Sequence, residues 1–363
     1  MVKRDVSKVK VGVIGLGMMG GFHAGRYLQT PSAELVAIAD IRPERLEAEE
    51  FVAGNIPDES GPADLSGVDR YPDGSQLIAE ADVDMVDICL PTFLHARYTI
   101  EALEAGHHVL CEKPMALTLK EADQMIEAAR EADRLLMIAQ CIRFWPEYEF
   151  LRQRMHDGTF GKLLSLNMSR VGGRPIWSWE KWYLDPARSG GTILDLHIHD
   201  VDYVPAPDRV QVNYLLGLPD HIQATARRSE ATGSYDIIHA FYNYEEGPQV
   251  HIHAGWSMAQ TPFFAAYDAW FEAGLIRFDS RRNPALQVFD DLVEVQGRPA
   301  EYEEGDAYAN EISYFLRCVK NDERPIKCPP ESARDSLGLV NPVCAGRKEI
   351  EAIENGRTVN GKE

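Results

Sequence analysis

Residues 8–40 read KVKVGVIGLGMMGGFHAGRYLQTPSAELVAIAD, and this stretch decides the fold of the first part of the chain. A β-branched apolar run leads into the glycine turn Gly15-Leu16-Gly17-Met18-Met19-Gly20. A helix follows to about Gln29, and a second apolar run ends at Asp40. The first glycine allows a tight turn, the second lets a phosphate approach the backbone, and the third lets helix and strand pack closely. The stretch therefore predicts a Rossmann βαβ unit whose helix N-terminus binds the pyrophosphate of a dinucleotide.

Asp40 is expected to select the dinucleotide, because it closes the second strand twenty residues after Gly20. A carboxylate at this point accepts hydrogen bonds from the ribose hydroxyls and repels a 2′-phosphate, which predicts NAD. Arg42 weakens that preference, since a guanidinium can bind the phosphate, and NADP stays possible. The alternative interpretations are that Asp40 caps the next helix and that Arg42 is a solvated loop charge.

The order of strand-like and helical segments predicts two domains. The first 140 residues alternate strand and helix, which predicts a parallel sheet with right-handed crossovers, interrupted by a surface loop at residues 53–74. After residue 145, consecutive strands with short turns predict an antiparallel sheet. We therefore expect an α/β Rossmann domain over residues 1–142 and an α+β domain with an open, mostly antiparallel sheet over residues 143–363. The second domain would bind substrate and form oligomers, and its last helices would pack back on the first. Residues 204–213 contain two prolines and are predicted to be an inserted loop.

Composition narrows the class of protein and of partner. The net charge of −20 argues against nucleic acid, which would be repelled. No apolar run approaches the ~20 residues of a membrane helix, and the N-terminus shows no signal core, so we expect a cytoplasmic protein that binds no membrane. The six cysteines form no CxxC pair and are expected to be reduced thiols, with no disulfide and no zinc cluster.

Glu112-Lys113-Pro114 ends a predicted strand, Val109-Leu110-Cys111. The carboxyl ends of strands line the ligand crevice in doubly wound folds, so a lysine here can touch both cofactor and substrate. It can hydrogen-bond a substrate hydroxyl or stabilise a developing alkoxide. The alternative is a solvated surface ion pair.

The stretch GGTILDLHIHD at residues 190–200 carries a second candidate group. On a helix, the four residues from Asp195 to His199 turn about 400°, so both side chains share a face while His197 points away. A histidine can take the hydroxyl proton as hydride leaves the carbon. Two alternatives stay open: a surface pair on a helix, or a strand that presents all three residues as a metal site. We expect no metal.

Taken together, the motifs are similar to those of the Gfo/Idh/MocA oxidoreductases, which include glucose–fructose oxidoreductase and inositol 2-dehydrogenase. The resemblance implies an NAD(P)-dependent dehydrogenase acting on a secondary hydroxyl of a sugar, sugar derivative or cyclitol. It also implies dimers or tetramers that associate through the open sheet. The motifs that carry it are GLGMMG with Asp40, Pro91-Thr92-Phe93-Leu94-His95, Glu112-Lys113-Pro114, Arg143-Phe144-Trp145-Pro146, Gly190-Gly191 and the helix with Glu311 and Phe315.

Two other functions stay open: tightly bound NAD used in glycosidic elimination or in a redox exchange between two sugars, and NAD-responsive regulation.

Residues near the predicted strand ends complete the candidate site. The catalytic residues are expected to be Lys113, Asp195 and His199. The cofactor is expected to contact Gly15, Gly17, Met18, Met19, Gly20, Asp40, Arg42, Pro91, Thr92, His95, Glu112, Lys113 and Gln140, and the substrate Arg143, Trp182, Asp195 and His199.

Overall fold

Six parallel strands form the first sheet, in the spatial order β3-β2-β1-β4-β5-β6. The order reverses direction between β1 and its neighbour β4, and in open parallel sheets this switch point places a ligand crevice at the carboxyl ends of the strands. The computed structural model describes residues 8–48, 64–204, 215–230, 233–257, 261–290 and 297–345. The strands are β1 Val9–Ile14, β2 Ala33–Ala39, β3 Asp69–Tyr71, β4 Met85–Ile88, β5 His108–Glu112 and β6 Leu136–Ala139.

Helices connect these strands as the sequence predicts. The helix over Leu119–Ala132 is fixed at its start by a capping box, in which the Thr118 side chain accepts from the Glu121 backbone and the Glu121 side chain accepts from the Thr118 backbone. The helices of this part are α1 Met18–Gln29, α2 Pro43–Leu46, α3 Gly74–Glu80, α4 His95–Glu104 and α5 Leu119–Ala132.

The predicted surface loop at residues 53–74 is partly wrong. Residues 53–63 lie outside the described residues, but Asp69–Tyr71 form β3, which pairs with β2. Gly74 begins α3, whose N-cap Asp73 accepts a hydrogen bond from the Ser75 backbone. A three-residue edge strand that is mostly exposed needs no apolar run, so composition could not reveal it.

The second sheet has eight strands in the order β14-β13-β12-β11-β7-β10-β9-β8. All its pairs are antiparallel except β7 with β10, which are parallel. Alternate residues are buried along its central strands, so one face of the sheet is covered and the other is open. The strands are β7 Leu163–Gly173, β8 His221–Arg228, β9 Tyr235–Asn243, β10 Gln249–Ser257, β11 Phe264–Phe271, β12 Gly274–Asp279, β13 Leu286–Asp290 and β14 Arg298–Pro299.

The remaining helices join the two sheets. The two last helices pack on the first sheet layer: α9 contacts α1 and β1, and α10 contacts α5 and β6. The predicted fold class, a Rossmann sheet with an open and mostly antiparallel second sheet, is confirmed. None of the helices in the described part of the chain is long and apolar enough to span a membrane. The predicted loop at 204–213 lies outside the described residues from 205 onwards. These helices are α6 Pro146–Asp157, α7 Pro186–Ser189, α8 Ile198–Tyr203, α9 Ala307–Asn321 and α10 Pro330–Ala345.

Candidate active site

A cleft of about 390 Å³ opens at the carboxyl ends of the parallel strands, and we call it the outer cleft. Its floor is the glycine turn and the strand ends, and its roof is a Trp-rich segment of the second part of the chain. Of the predicted cofactor residues, those that line it are Gly15, Gly17, Met18, Met19, Asp40, Arg42, Pro91, Glu112 and Lys113, and the roof is formed by Trp177, Ser178, Trp179, Trp182 and Tyr183.

The glycine turn has the shape that a bound pyrophosphate requires. A Cβ on Gly20 would lie 1.7 Å from the Gly15 carbonyl oxygen, and Gly15 itself has φ +90°, so both positions require glycine. A Cβ on Gly17 would meet nothing within 4 Å, so this glycine faces open space in the cleft. Gly17 is also the N-cap of α1, and it has no side chain that could accept a hydrogen bond from the first backbone N–H groups of the helix. The first N–H groups of α1 are therefore left for an anion.

Asp40 faces the outer cleft with its carboxylate already hydrogen-bonded. The Leu16 backbone N–H donates to it at 2.8 Å, and the Arg42 guanidinium donates from Nε and Nη2 at 3.0 Å each. Asp40 thus lies at the end of β2 in the wall of the outer cleft, and its contact with the adenosine ribose stays a prediction. Arg42 is not a solvated charge, because its guanidinium forms a bidentate ion pair with the Asp40 carboxylate.

Lys113 bridges the two parts of the chain. Its ammonium donates to the backbone carbonyl of Asp195 at 2.9 Å and to the Asp195 carboxylate at 3.1 Å. The second carboxylate oxygen of Asp195 accepts from the Trp256 indole N–H at 3.1 Å. Because Glu112 is 7% exposed and the Lys113 side chain 13%, the alternative that Glu112 and Lys113 form a solvated surface pair is wrong.

The segment that carries Asp195 and His199 is helical, so the strand alternative is wrong. Residues Ile193–His197 form a π-helical turn that continues into α8. Such turns are rare and are often found at functional sites. His197 points away from the cleft, with Nε2 3.0 Å from the Tyr242 hydroxyl.

His199 is buried beside Lys113, and its surroundings keep the imidazole neutral. Burial lowers its pKa well below the ordinary value, and the positive charges of Lys113 and Arg170 lower it further. Its Nδ1 has no hydrogen-bond partner within the described residues. A neutral imidazole beside an ammonium can accept a proton.

Lys113, Asp195 and His199 line a second cavity that lies against the outer cleft, and we call it the inner pocket. Sequence reasoning missed two of its polar residues, Trp256 and Arg170. The sequence did carry a signal for both residues. Each stands on a strand with alternating burial, at a position that faces the covered side of the sheet, where an arginine is unexpected. Other residues that line the inner pocket are Met18, Met19, Glu112, Trp145, Trp177, Tyr183, Phe263 and Tyr308.

Five predicted contact residues do not line either cavity: Gly20, Thr92, His95, Gln140 and Arg143. His95 is buried, and its Nδ1 and Nε2 lie 2.8 and 2.7 Å from the carbonyl oxygens of Pro114 and Leu90, so it packs between the loops around the cleft. Thr92 and Gln140 are 3% and 1% exposed.

Arg143 was predicted to bind substrate, and the structure corrects this. Its guanidinium is 2% exposed and is bonded to the Asp202 carboxylate, the Ser332 hydroxyl and the Lys327 carbonyl. Trp182, also predicted to contact substrate, lines the outer cleft rather than the inner pocket.

Comparison with known families identifies the chain. Residues 9–140 match the model of an oxidoreductase family with an NAD-binding Rossmann fold, and residues 148–275 match the C-terminal domain of the same family. The chain belongs to the Gfo/Idh/MocA family. Its first domain is therefore of the NAD-binding Rossmann type, and the glycine turn with Asp40 supplies the fit for that cofactor.

Relatives within the Gfo/Idh/MocA family include inositol dehydrogenases. The chain is 35% identical to the myo-inositol 2-dehydrogenase of Thermotoga maritima, over 53% of each protein, so the match spans about half of that relative. It is 27% identical to the inositol 2-dehydrogenase of Rhizobium meliloti, over 86% of this chain and 89% of that one. A levoglucosan dehydrogenase solved in complex with NADH shares the fold, with a TM-score of 0.77 at 19% identity, covering 94% of this chain and 98% of that one.

Proposed function

We propose that this protein is an NAD-dependent dehydrogenase that oxidises a secondary hydroxyl of an uncharged sugar or cyclitol. The observation that carries the proposal is the meeting of Lys113, Asp195 and His199 in an inner pocket that lies against the outer cleft. The family relatives named as inositol dehydrogenases support the same class of reaction.

Each of the three residues has a distinct part in this chemistry. NAD, when bound, supplies the hydride acceptor. Asp195 orients the Lys113 ammonium, which donates a hydrogen bond to the substrate oxygen and stabilises negative charge as it develops. His199 is neutral and accepts the hydroxyl proton. The aromatic rings of the pocket walls fit the apolar faces of a sugar ring.

The charges of the inner pocket favour an uncharged substrate. Among its described lining residues, the permanent cations are Lys113 and Arg170, and each is already paired with a carboxylate. Arg170 donates to Asp200 at 2.9 Å and to the Tyr148 hydroxyl at 3.1 Å. A substrate phosphate or carboxylate would be desolvated there without a cation to pair with it.

The test is turnover with NAD on a panel of inositols, hexoses, anhydrosugars, sugar phosphates and nucleotide sugars, followed by the absorbance of reduced nicotinamide. We expect turnover among the uncharged compounds, and a loss of about 10²-fold or more in kcat for Lys113→Ala. Lys120→Ala, an exposed lysine on α5, is the matched control and keeps full activity. Absence of NAD binding together with absence of turnover would overturn the proposal. NAD that copurifies and shows no net reduction would favour the internal redox alternative.

We further propose that two copies associate through the open sheet face. Phe241 and Trp270 project from this face and are 47% and 48% exposed. Sedimentation of the wild type and of Trp270→Asp tests this: we expect a dimer or tetramer for the wild type and a smaller species for the variant.

We also propose a cytoplasmic location, because the five described cysteines are free thiols.

A further inference from the structure

A chain of buried polar side chains lies beneath the glycine turn, and the chemistry above does not use it. His23 on α1 is fully buried. Its Nδ1 lies 2.8 Å from the Asp87 carboxylate, and its Nε2 lies 3.3 Å from Oε1 of Glu112. The Tyr27 hydroxyl donates to the same Asp87 oxygen at 2.8 Å. Asp87 thus orients the imidazole, in the way that a carboxylate orients histidine in many active sites.

Glu112 connects this buried chain to the active site. One of its carboxylate oxygens faces His23, and the other accepts the backbone N–H of Lys113 at 3.0 Å. Glu112 lines both the outer cleft and the inner pocket. The Glu112 carboxylate therefore contacts both the fully buried His23 imidazole and the backbone of Lys113, whose ammonium binds Asp195.

The charges of the chain support this connection. Burial disfavours a charged His23, but the Asp87 carboxylate and the Cys89 thiol outweigh it and raise the His23 pKa well above its ordinary value. Glu311 on α9 faces the same region with no exposure. Burial, and then the charge of Glu112, raise the Glu311 pKa well above its ordinary value, which favours the neutral acid and leaves the imidazolium to the other two carboxylates.

We propose that His23 is a positioning residue: it bridges Asp87 and Glu112 and thereby fixes the backbone of Lys113 for its contact with Asp195. The proposal rests on the proposed function of Lys113. Displacement of a catalytic group by about 1 Å can cost 10²-fold in rate, so a change at His23 acts on kcat without touching NAD or substrate.

Two near-isosteric variants separate positioning from packing. The amide of His23→Asn reaches the place of Nδ1 and keeps the hydrogen bond to Asp87, whereas the amide of His23→Gln reaches the place of Nε2 and keeps the contact with the Glu112 carboxylate, which is 3.3 Å long in the wild type. We expect kcat of His23→Asn to fall about tenfold or more below that of His23→Gln, with KM for NAD within about threefold of wild type. Tyr27→Phe, which removes a donor to Asp87 and does not reach Glu112, is the control and keeps the wild-type kcat.

The result that would overturn the proposal is equal kcat in the two His23 variants, or kcat that follows Tm in both. A measurement without substrate separates this outcome from failure of the proposed function. Lysines are ¹³C-methylated, and the Lys113 resonance is assigned by its loss in Lys113→Arg. We expect His23→Asn to shift that resonance and His23→Gln to leave it near the wild-type position; an unshifted resonance in His23→Asn contradicts the proposal. If both variants unfold, Glu112→Gln gives the same readout from the open end of the chain.

Discussion

Arg143 gives the most direct test of how the site is held in place. It lies after β6, and its Nε and Nη2 donate to the Asp202 carboxylate at 2.6 and 2.7 Å. Its Nη1 donates to the Lys327 carbonyl at 3.0 Å. The perturbation is Arg143→Met, which keeps the length of the side chain and removes the charge. Asp202 has no exposure and, among the described residues, would retain the hydroxyl of Ser336 as its side-chain partner, at 2.9 Å.

The expected cost follows from the burial of this pair. Removing one partner of a buried ion pair costs about 3–5 kcal/mol, since the other charge stays desolvated. With an unfolding entropy of about 2.1 cal/mol/K per residue, a chain of 363 residues loses about 4–7 °C in Tm for that cost. Because Arg143 lines neither cavity, KM for substrate and NAD should stay within about threefold of wild type.

Thermal unfolding by circular dichroism measures the loss for Arg143→Met, for Asp202→Leu and for the double variant. The double variant should lose less than the two single variants added together, because no unpaired charge remains. An unchanged Tm for Arg143→Met together with a tenfold rise in the KM for the sugar would refute the reasoning. It would return Arg143 to the substrate-binding role that its sequence position suggests.

Three further predictions concern the glycine turn and two histidines. Gly17→Ala should leave Tm unchanged and weaken NAD binding about tenfold by calorimetry, whereas Gly20→Ala should lower Tm, because its Cβ would lie 1.7 Å from the Gly15 carbonyl; equal effects on Tm would contradict this. Burial lowers the His197 pKa to about 3. Since the unfolded chain takes up that proton near pH 6.5, stability falls as the pH drops from about 6.5 toward 3, by about 2 kcal/mol between pH 6.5 and 5. In urea titrations His197→Gln should flatten this slope, and an unchanged slope would speak against it. The pKa of His199 is lowered by burial, so the neutral base persists into acid, and the acid limb of the kcat/KM profile should lie below pH 6.5; a limb above that value would exclude His199 as the base.

The local parts of the site are those that the sequence could predict. The glycine turn, Asp40 and Glu112-Lys113-Pro114 are contiguous with strands whose apolar runs are plain, and the ends of parallel strands meet at one edge. The spacing of Asp195 and His199 predicted a shared helical face, and both residues line the inner pocket. Helical periodicity does not reveal the π-helical turn within this segment, because a single wider turn leaves no mark on a short run of residues.

The positions that sequence reasoning misplaced are buried polar residues whose partners are set by the packing of loops and helices. His95 follows a strand end, as a cofactor residue would, yet its ring nitrogens lie 2.8 and 2.7 Å from the carbonyl oxygens of Pro114 and Leu90 in the surrounding loops. Arg143 follows another strand end and pairs with Asp202, 59 residues away. Some side chains near a strand end enter the crevice and others are buried beneath it. Only tertiary packing decides which of these two positions a given side chain occupies.

One helical segment accounts for both the chemistry and its placement. Asp195 and His199 line the inner pocket, while Asp200 and Asp202 do not line it and pair with buried arginines. Those arginines come from different layers: Arg170 lies on β7 of the second sheet, and Arg143 follows the last strand of the first sheet. Buried ion pairs of this kind contribute little net stability compared with apolar packing, but each has one arrangement that satisfies both charges. The two ion pairs therefore fix the rotation and position of the helical segment relative to both sheets. His199 and the Lys113 ammonium come from opposite sides of the cleft, and this fixed position lets both contact the same substrate hydroxyl.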